Sequence, residues 1–268
     1  MVNQVGFRND LNNDRRYNLL TDSLYNSNLG DIIKDLPIHT YYVDEVEAHN
    51  ILINLKYDSL SCVSLNIQSL PSKNHEFSNL INSLNSNKSK VSCFALQETW
   101  LTSLNNNSFS YPGYKSFFKS RLPGNVRGGV GLLIDDSFTC QPLTNEFFID
   151  NILETLSIRI KFGSFRAIVV SLYRPPSRPG EDVNTSFEHF MTFFDDFLHY
   201  LENFNEPVCI MGDFNLNLFH LNDASSHPSS VNESLLYAGF LQIISRATRV
   251  QPPRLLFNRL CLSQGLTP

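Results

Sequence analysis

The amino-acid sequence predicts an α/β fold. From Ser61 onward, short runs rich in β-branched and aromatic residues alternate with segments whose apolar residues recur at helical spacing. Of the 268 residues, 42% are hydrophobic and 12% are aromatic, which is enough for a sizeable core and excludes a disordered or fibrous chain. The length suits one large domain with an appended segment.

Three segments of the chain differ in their pattern. Residues 1–58 are rich in Asn and Asp and have weak periodicity, so we expect a partly disordered upstream arm. Residues 59–250 carry the α/β alternation and should form the folded domain. Residues 251–268 form a divergent tail that continues neither pattern.

Six apolar runs have the length and composition of β-strands. Each is bounded by polar or turn-forming residues, as strands in an α/β domain usually are. The six predicted strands are 62–67, 91–97, 129–134, 153–160, 165–173 and 208–211.

Three helices are predicted between these strands. The first is marked by apolar residues at helical spacing, namely Phe77, Leu80, Ile81 and Leu84. The second carries a longer stripe that we expect to pack in the core, namely Phe187, Phe190, Met191, Phe194, Phe197, Leu198 and Leu201. Thr185 and Glu188 have the spacing of a capping box at its start, and Ser230 with Glu233 starts a third, shorter helix that ends before Gly239.

The cysteines and the N-terminus predict an intracellular protein. The five cysteines are scattered without a Cys-x-x-Cys spacing, and Cys62, Cys93 and Cys209 lie in apolar runs where a thiol packs as a small hydrophobic group. The chain has no apolar segment typical of a signal peptide and none long enough to span a bilayer, so we expect neither secretion nor membrane contact. The net charge of −5 does not by itself indicate a nucleic-acid partner, and nothing in the sequence predicts an oligomeric state.

Four polar clusters follow apolar strands, where open α/β folds place their ligands. Alone, such a cluster is more often a strand end, a turn or a rigid loop entry than a functional site. The occurrence of all four together is a far more specific signal of a site. Gly212, in the last cluster, is expected to allow a tight turn. The clusters are Ser64-Leu65-Asn66-Ile67-Gln68-Ser69-Leu70, Leu96-Gln97-Glu98-Thr99-Trp100, Leu172-Tyr173-Arg174-Pro175-Pro176 and Met211-Gly212-Asp213-Phe214-Asn215.

These residue types suit metal-assisted cleavage of a phosphodiester. Glu98 offers a carboxylate to a hard cation and Asn66 an amide oxygen, and Mg²⁺ accepts few protein ligands because it keeps most of its waters. Asp213 is placed to accept a proton from the attacking water or to orient it. If the backbone stays extended, Asn215 points to the same side as Asp213. The Tyr173 hydroxyl, at the end of a buried strand, could donate to phosphate.

Together the clusters resemble the endonuclease/exonuclease/phosphatase superfamily over roughly residues 61–250. Within the superfamily they are most similar to the endonucleases of LINE-type (non-LTR) retrotransposons, and Ala247-Thr248-Arg249 resembles the Thr-Arg element of that family. The motifs that carry this resemblance are Asn-Ile-Gln-Ser-Leu at 66–70, Gln-Glu-Thr-Trp-Leu at 97–101, Arg-Gly-Gly-Val-Gly-Leu at 127–132, Tyr-Arg-Pro-Pro at 173–176 and Gly-Asp-Phe-Asn at 212–215.

The resemblance implies a four-layered, DNase I-like α/β sandwich of two packed β-sheets flanked by helices. It implies an endonuclease that uses Mg²⁺ or Mn²⁺ and nicks host DNA, in the nucleus, to prime reverse transcription. By this resemblance Asn66 and Glu98 support the metal, Tyr173 binds phosphate, Asp213 acts on the nucleophile, and Asn215 orients Asp213 or the phosphate. The DNA contacts it implies are Arg174, Thr248 and Arg249.

The sequence departs from the family after Val250. Family members follow the Thr-Arg element with a Ser-x-Ile-Asp-His strand and a later Ser-Asp-His motif, and neither occurs here. We therefore expect a C-terminally truncated copy that lacks its last strands, leaves an unpaired edge in the second sheet and has impaired activity.

Two alternative functions remain open. One is a catalytically dead remnant that at most binds nucleic acid. The other is a phosphatase of the same superfamily that acts on inositol phosphates or lipids. Trp100 after Gln-Glu-Thr and the Tyr-Arg-Pro-Pro loop favour the retroelement branch over the phosphatases.

Overall fold

The computed structural model consists of two β-sheets packed face to face, with helices on their outer surfaces. It describes residues 3–8, 60–85, 90–125, 127–144, 146–177, 180–216, 218, 227–242 and 260–262. The helices are α1 (Leu70–Leu84), α2 (Val183–Glu202) and α3 (His227–Tyr237). The strands are β1 (Asn3–Arg8), β2 (Ser61–Asn66), β3 (Cys93–Gln97), β4 (Tyr114–Lys119), β5 (Val130–Asp135), β6 (Thr139–Pro142), β7 (Glu154–Phe162), β8 (Phe165–Tyr173), β9 (Val208–Asp213), β10 (Phe240–Gln242) and β11 (Leu260–Leu262).

The strand order brings four strand ends together. The six-stranded sheet has the order β10-β1-β9-β8-β7-β6, and the five-stranded sheet has the order β11-β2-β3-β5-β4. Two pairs of neighbours are parallel, β8 with β9 and β2 with β3, and the other pairs are antiparallel. Parallel neighbours end at the same edge of a sheet, so Tyr173 lies opposite Asp213 and Asn66 opposite Gln97.

Three layers of apolar side chains hold the sheets and helices together. The layer between the sheets includes Cys93, Leu132, Ile134, Ile158, Val169 and Met211. The outer face of the five-stranded sheet packs on α1 through residues such as Phe77, Ile81, Leu84 and Phe94. The outer face of the six-stranded sheet packs on α2 and α3 through residues such as Phe190, Phe194, Ile168, Ile210 and Val231. This helix–sheet–sheet–helix order confirms the four-layered sandwich predicted from the sequence.

The six predicted strands and three predicted helices are all present, with ends that shift by a few residues. The largest difference is at α2, where Asp182 and not Thr185 is the N-cap, so the predicted capping box of Thr185 and Glu188 is wrong. The third helix likewise begins at His227, before the predicted cap at Ser230. Gly239 follows α3 in a left-handed conformation with φ of 75°, which suits its predicted place at the helix end.

Two strands lie in segments that the sequence did not assign to the sheets. β1 comes from the arm, 1–58, and β11 from the tail, 251–268. β1 pairs antiparallel with β9 along its whole length, with Asn3 opposite Asp213, and its other side pairs with β10. The outer side of β9 is therefore covered by β1, and the expected unpaired edge in the second sheet stays a prediction. The rest of the arm and of the tail lies outside the described residues.

Three of the cysteines lie in the core. Cys62, Cys93 and Cys209 are buried, as their apolar surroundings predicted. No helix in the part of the chain that the structure describes is both long enough and apolar enough to cross a membrane.

Candidate functional site

The candidate site lies where β2 and β3 of one sheet end opposite β8 and β9 of the other. The structure brings together the five residues that the sequence placed at these strand ends, namely Asn66, Glu98, Tyr173, Asp213 and Asn215. The expected convergence is therefore observed. The geometry of the site follows from the parallel pairs β2–β3 and β8–β9, because the two strands of each pair end at the same edge of the sandwich.

Asn66 connects the two carboxylates of the site. Its Nδ2 donates a hydrogen bond of 2.6 Å to Glu98 Oε1 and another of 2.8 Å to Asp213 Oδ2, so it links the two sheets. Both acceptors face Nδ2, which leaves Asn66 Oδ1 buried without a partner among the described residues. A buried acceptor beside a carboxylate is a position from which an amide oxygen can bind a cation.

Glu98 is held by its neighbours in an uncommon backbone conformation. Its φ is 53°, in the left-handed region, and its carbonyl oxygen accepts from Ser69 N at 2.9 Å just before α1. The indole Nε1 of Trp100 donates to Glu98 Oε2 at 3.3 Å. Such a conformation in a non-glycine residue persists only where surrounding bonds determine it, and it is frequent at functional sites.

Asp213 ends β9 with 1% of its surface exposed. Burial raises the pKa of its carboxyl group, although hydrogen bonds from Asn66 and from the Asn215 N–H act in the opposite direction. A buried carboxylate with a raised pKa is a stronger base than a free aspartate, which suits a group that takes up a proton.

Asn215 orients Asp213 by a route that the sequence did not predict. Its backbone is not extended, because φ is 49° and the chain turns there. The turn directs Asn215 N to Asp213 Oδ1 at 3.0 Å, and the side-chain Nδ2 to Arg174 O at 2.7 Å. Asn215 therefore ties the ends of β8 and β9 together around Asp213.

Tyr173 is the third buried member of the site, with 4% of its surface exposed. Burial raises the pKa of its phenol well above the ordinary value, and the nearby charges of Glu98 and Asp213 add to this effect. The hydroxyl group therefore stays protonated and acts as a hydrogen-bond donor.

Gly212 has a different role from the turn that the sequence suggested. It lies within β9, and a Cβ atom at this position would overlap the carbonyl oxygen of Leu172 on β8. The glycine thus allows β8 and β9 to approach closely immediately before Tyr173 and Asp213.

Of the three DNA-contacting residues that the resemblance implied, only Arg174 is described. Its guanidinium group is buried against the rings of Phe187 and Phe190 in α2 and donates to Phe214 O at 3.3 Å. In this conformation Arg174 packs beneath the site instead of facing solvent. Thr248 and Arg249 lie outside the described residues.

Beside the site lie two buried polar groups, Glu154, which the sequence analysis missed, and Gln97, whose contact it did not predict. Glu154, the first residue of β7, is fully buried directly opposite Tyr173 and forms an ion pair with Arg121. Gln97 donates through Nε2 to Ser171 Oγ at 3.1 Å and so joins β3 to β8 across the core. A carboxylate and an amide inside otherwise apolar strands were the signals that could have identified them.

The donor set suits a hard cation with few protein ligands. In the described ranges, no group of three or more His, Cys, Asp or Glu side chains is arranged to hold a metal ion. The Glu98 carboxylate and the unpartnered Asn66 Oδ1 supply two oxygen donors, and Mg²⁺ is commonly bound by one or two protein oxygens and several waters. The residues present therefore fit such an ion at Glu98 and Asn66.

Comparison with known proteins agrees with this architecture. The family model described as "Endonuclease/Exonuclease/phosphatase family" matches residues 63–247. The 3'-5' exonuclease NExo from Neisseria meningitidis is similar in structure, with a TM-score of 0.50, 14% identity, and coverage of 67% of this chain and 71% of that chain.

Two further solved structures are similar at lower scores. The endonuclease domain of TRAS1, a telomere-specific non-LTR retrotransposon, has a TM-score of 0.48 and 12% identity, covering 67% of this chain and 71% of its own. The Xenopus laevis APE2 catalytic domain has a TM-score of 0.47 and 17% identity, covering 65% of this chain and 67% of its own. No curated protein matches the sequence.

Proposed function

We propose, because the chain belongs to the endonuclease/exonuclease/phosphatase family, that it is a metal-dependent DNA endonuclease of the LINE-type retrotransposon branch. The family consists of nuclease- and phosphatase-type hydrolases. In this role it nicks DNA in the nucleus and so provides a 3′-hydroxyl group that primes reverse transcription. The observation that carries the proposal is the linkage of Glu98 to Asp213 through Asn66 beside the Tyr173 hydroxyl.

Glu98 and Asn66 would hold the divalent cation, Mg²⁺ or Mn²⁺. Enzymes of this family generally use divalent metals. When bound, such an ion neutralises negative charge on the scissile phosphate and its leaving oxygen. The Trp100 indole and the Ser69 N–H keep Glu98 in position for this task.

The other side chains act on the phosphate and on the attacking water. Asp213 accepts a proton from the water at Oδ1 or Oδ2, and its raised pKa makes it a suitable base. The protonated Tyr173 hydroxyl donates a hydrogen bond to a phosphate oxygen. Asn215 fixes the carboxylate of Asp213 through its backbone N–H.

DNA is favoured as substrate by two local motifs. Trp100 directly follows Gln97-Glu98-Thr99, and Tyr173 opens a Tyr-Arg-Pro-Pro loop, and both are typical of the retroelement branch. Arg127 lies over the Trp100 ring, 5.7 Å from its centre, and adds a solvent-exposed positive charge next to Glu98. An exposed guanidinium beside the site suits a polyanionic substrate.

The chain itself should nick DNA slowly. The Ser-x-Ile-Asp-His and Ser-Asp-His motifs do not occur in it, and none of its seven histidines follows an aspartate. In the relatives that the sequence resembles, these motifs supply a second carboxylate and an imidazole. A site whose residues act as a unit loses most of its activity when one member is missing.

Nicking of supercoiled plasmid with Mg²⁺ tests the proposal. The chain should nick weakly, and a chimera that continues from Val250 into the Ile-Asp-His and Ser-Asp-His segments of a complete relative should nick well. In the chimera, Asp213→Asn should lower the rate on the order of 10²- to 10⁴-fold, because general base catalysis contributes that much. Glu98→Gln should abolish Mg²⁺-dependent nicking. Glu188→Gln, which removes an exposed carboxylate of α2, should change nothing.

Two results would contradict the proposal. A well-folded chimera that never nicks would rule out the DNA endonuclease assignment. Equal rates for the unmodified chain and the chimera would show that the missing motifs do not limit activity.

A further inference from the structure

A buried ion pair joins the two sheets at the end of the sandwich that holds the site. Arg121 follows β4 of the five-stranded sheet, and Glu154 begins β7 of the six-stranded sheet. Arg121 Nε and Nη2 both lie 2.5 Å from Glu154 Oε1, and the two side chains are 7% and 0% exposed. The pair therefore crosses between the sheets almost entirely shielded from solvent.

The remaining hydrogen-bonding groups of the pair are also satisfied. Glu154 Oε2 accepts from Gly129 N at 2.6 Å, and Arg121 Nη1 donates to Asn151 Oδ1 at 2.6 Å. Desolvation of two charges offsets much of their attraction, so such a pair is weak evidence for net stability. The main effect of the ion pair on the fold is to fix the positions of the backbone segments attached to it.

One attached segment leads directly to Glu98. Gly129 O accepts from Thr99 N at 3.2 Å, and Gly128 O accepts from Trp100 N at 2.8 Å. Gly128 has φ of 88°, and a Cβ atom there would overlap the Arg121 guanidinium group. Gly128 thus packs against Arg121, Gly129 N binds Glu154, and the carbonyl groups of both glycines bind the loop that follows β3.

The second attached segment leads to Tyr173. Glu154 is the direct cross-strand partner of Tyr173 in the β7–β8 pair, so the two Cα atoms lie opposite each other. The charge of Glu154 also contributes to the raised pKa of Tyr173. One end of the ion pair therefore positions the tyrosine strand, and the other positions the loop that carries Glu98.

We propose that Arg121 and Glu154 are positioning residues that set Glu98 and Tyr173 at a fixed separation across the two sheets. Neither residue reaches the substrate, and both act through the backbone segments that they hold. The effect of the ion pair on catalysis rests on the proposed function. Its effect on the positions of Glu98 and Tyr173 does not.

Trp100 is a native reporter for this proposal because it is the only tryptophan in the chain. Its indole donates to Glu98, and its backbone N–H binds Gly128 O, so its fluorescence reports on the loop that the ion pair holds. In the full chain, Glu154→Gln and Arg121→Met should shift the Trp100 emission to longer wavelength and increase its quenching by acrylamide.

The matched control is the ion pair at the other end of β7. Arg159 Nε lies 2.9 Å from Glu206 Oε1. In the sheet, Arg159 lies opposite Ile168, which is five residues before Tyr173 at the end of β8. Arg159→Met removes a charge pair from the same strand, one whose side chains are 29% and 19% exposed, and should leave the Trp100 emission unchanged. Arg121→Lys, which keeps the charge but loses the bond to Asn151, should give an intermediate shift if the more severe variants fold poorly.

Plasmid nicking with Mg²⁺ gives the second measurement. In the chimera described above, Glu154→Gln should lower kcat on the order of 10²-fold with little change in KM, as expected for misplaced catalytic groups. If no chain nicks but the pair variants alone shift the Trp100 emission, the proposed function fails and the positioning role stands. Emission that stays as in the wild type, or that shifts equally in Arg159→Met, would overturn the positioning role whatever the activity.

Discussion

Asn66 is the residue on which the geometry of the site depends most directly. Its Nδ2 group contacts both Glu98 and Asp213, two carboxylates on different sheets. Hydrogen bonds to charged groups contribute about 1.5–3 kcal/mol each. Without the amide, the two carboxylates would face each other with no donor between them, which is unfavourable for both.

Replacing Asn66 should therefore destabilise the protein in a way that depends on the carboxylates. We expect Asn66→Ala to lower the free energy of unfolding by about 1–3 kcal/mol, since two buried acceptors lose their donor. Glu98→Gln in the same background should recover part of the loss. Urea unfolding of the two single variants and the double variant measures this coupling. The exposed Asn79→Ala on α1 is the control, and an equal loss there would argue against the specific role of Asn66.

Glu154 makes the stability of the protein depend on pH with a defined sign. Burial raises its pKa above the ordinary value of 4.5, so the folded chain binds this proton more tightly than the unfolded chain. The contribution of Glu154 is then largest below the unfolded-state pKa and is lost as the pH rises through the folded-state pKa. We expect the free energy of unfolding of the wild type, minus that of Glu154→Gln, to decrease as the pH rises from about 4. Urea melts across this range test it, and an increase would mean that attraction to Arg121 outweighs burial.

At the scale of single elements, α2 shows how a cap sets the start of a helix. Asp182 Oδ2 accepts from Thr185 N at 2.8 Å and from Thr185 Oγ1 at 2.9 Å. These bonds lower the pKa of Asp182, and the bond from the Thr185 backbone N–H has the larger effect. Thr185 therefore lies inside the helix, three residues after the cap, and Glu188 has no N–H at the helix start to bind.

Substitution of the two candidate caps separates these interpretations. Asp182→Ala should lower the free energy of unfolding by about 1 kcal/mol, because an N–H at the start of α2 loses its acceptor. Glu188→Ala should change it by less than about 0.5 kcal/mol, as expected for an exposed position without a defined contact. Chemical denaturation of both variants decides between them. A larger loss of stability in Glu188→Ala than in Asp182→Ala would support the capping box of Thr185 and Glu188.

Two of the strands that the sequence missed, β4 and β6, have weak burial patterns. β6 is four residues long at the edge of its sheet and mostly exposed, and β4 is an edge strand with one buried residue. Their side chains carry neither a continuous apolar run nor a clear alternation. Their conformation comes from pairing with β7 and β5, which a local pattern does not encode.

At the scale of the whole molecule, the site depends on contacts between the sheets and on a strand from the start of the chain. Asn66 with Asp213, Gln97 with Ser171, and Arg121 with Glu154 all cross from one sheet to the other. β1 extends the six-stranded sheet beyond β9 and lies between β9 and β10. Its loss would expose the edge of the strand that carries Asp213.

A single substitution in β1 tests this arrangement. Gly6 lies opposite Ile210 on one side and Gln242 on the other, so its N–H faces a neighbouring strand. Gly6→Pro removes that donor and should lower the free energy of unfolding by at least about 1 kcal/mol. It should also promote aggregation through the edge of β9, measured by light scattering. Gly6→Ala keeps the N–H and is the matched control. Equal stability and solubility of the two variants would show that β1 contributes nothing to the sheet.

By itself, the sequence determined the elements and the chemical character of the strand ends. The apolar stripe of α2, the buried runs of β8 and β9 and the motifs around Glu98 and Asp213 are local patterns, each contained in a short window. Such windows are sufficient to predict an α/β fold and to name the site residues, because periodicity and residue type act over a few neighbours. The four-layered sandwich was implied by the family resemblance of the motifs.

Only the tertiary structure decided which distant groups meet. Asn66 and Asp213 are 147 residues apart, and their contact exists because two parallel strand pairs end at the same edge. The same holds for the pairing of β1 with β9 and for the contact between Arg121 and Glu154, which are 33 residues apart and come from different sheets. Sheet pairing and the packing of one sheet on the other fix these contacts, and both depend on the whole chain at once.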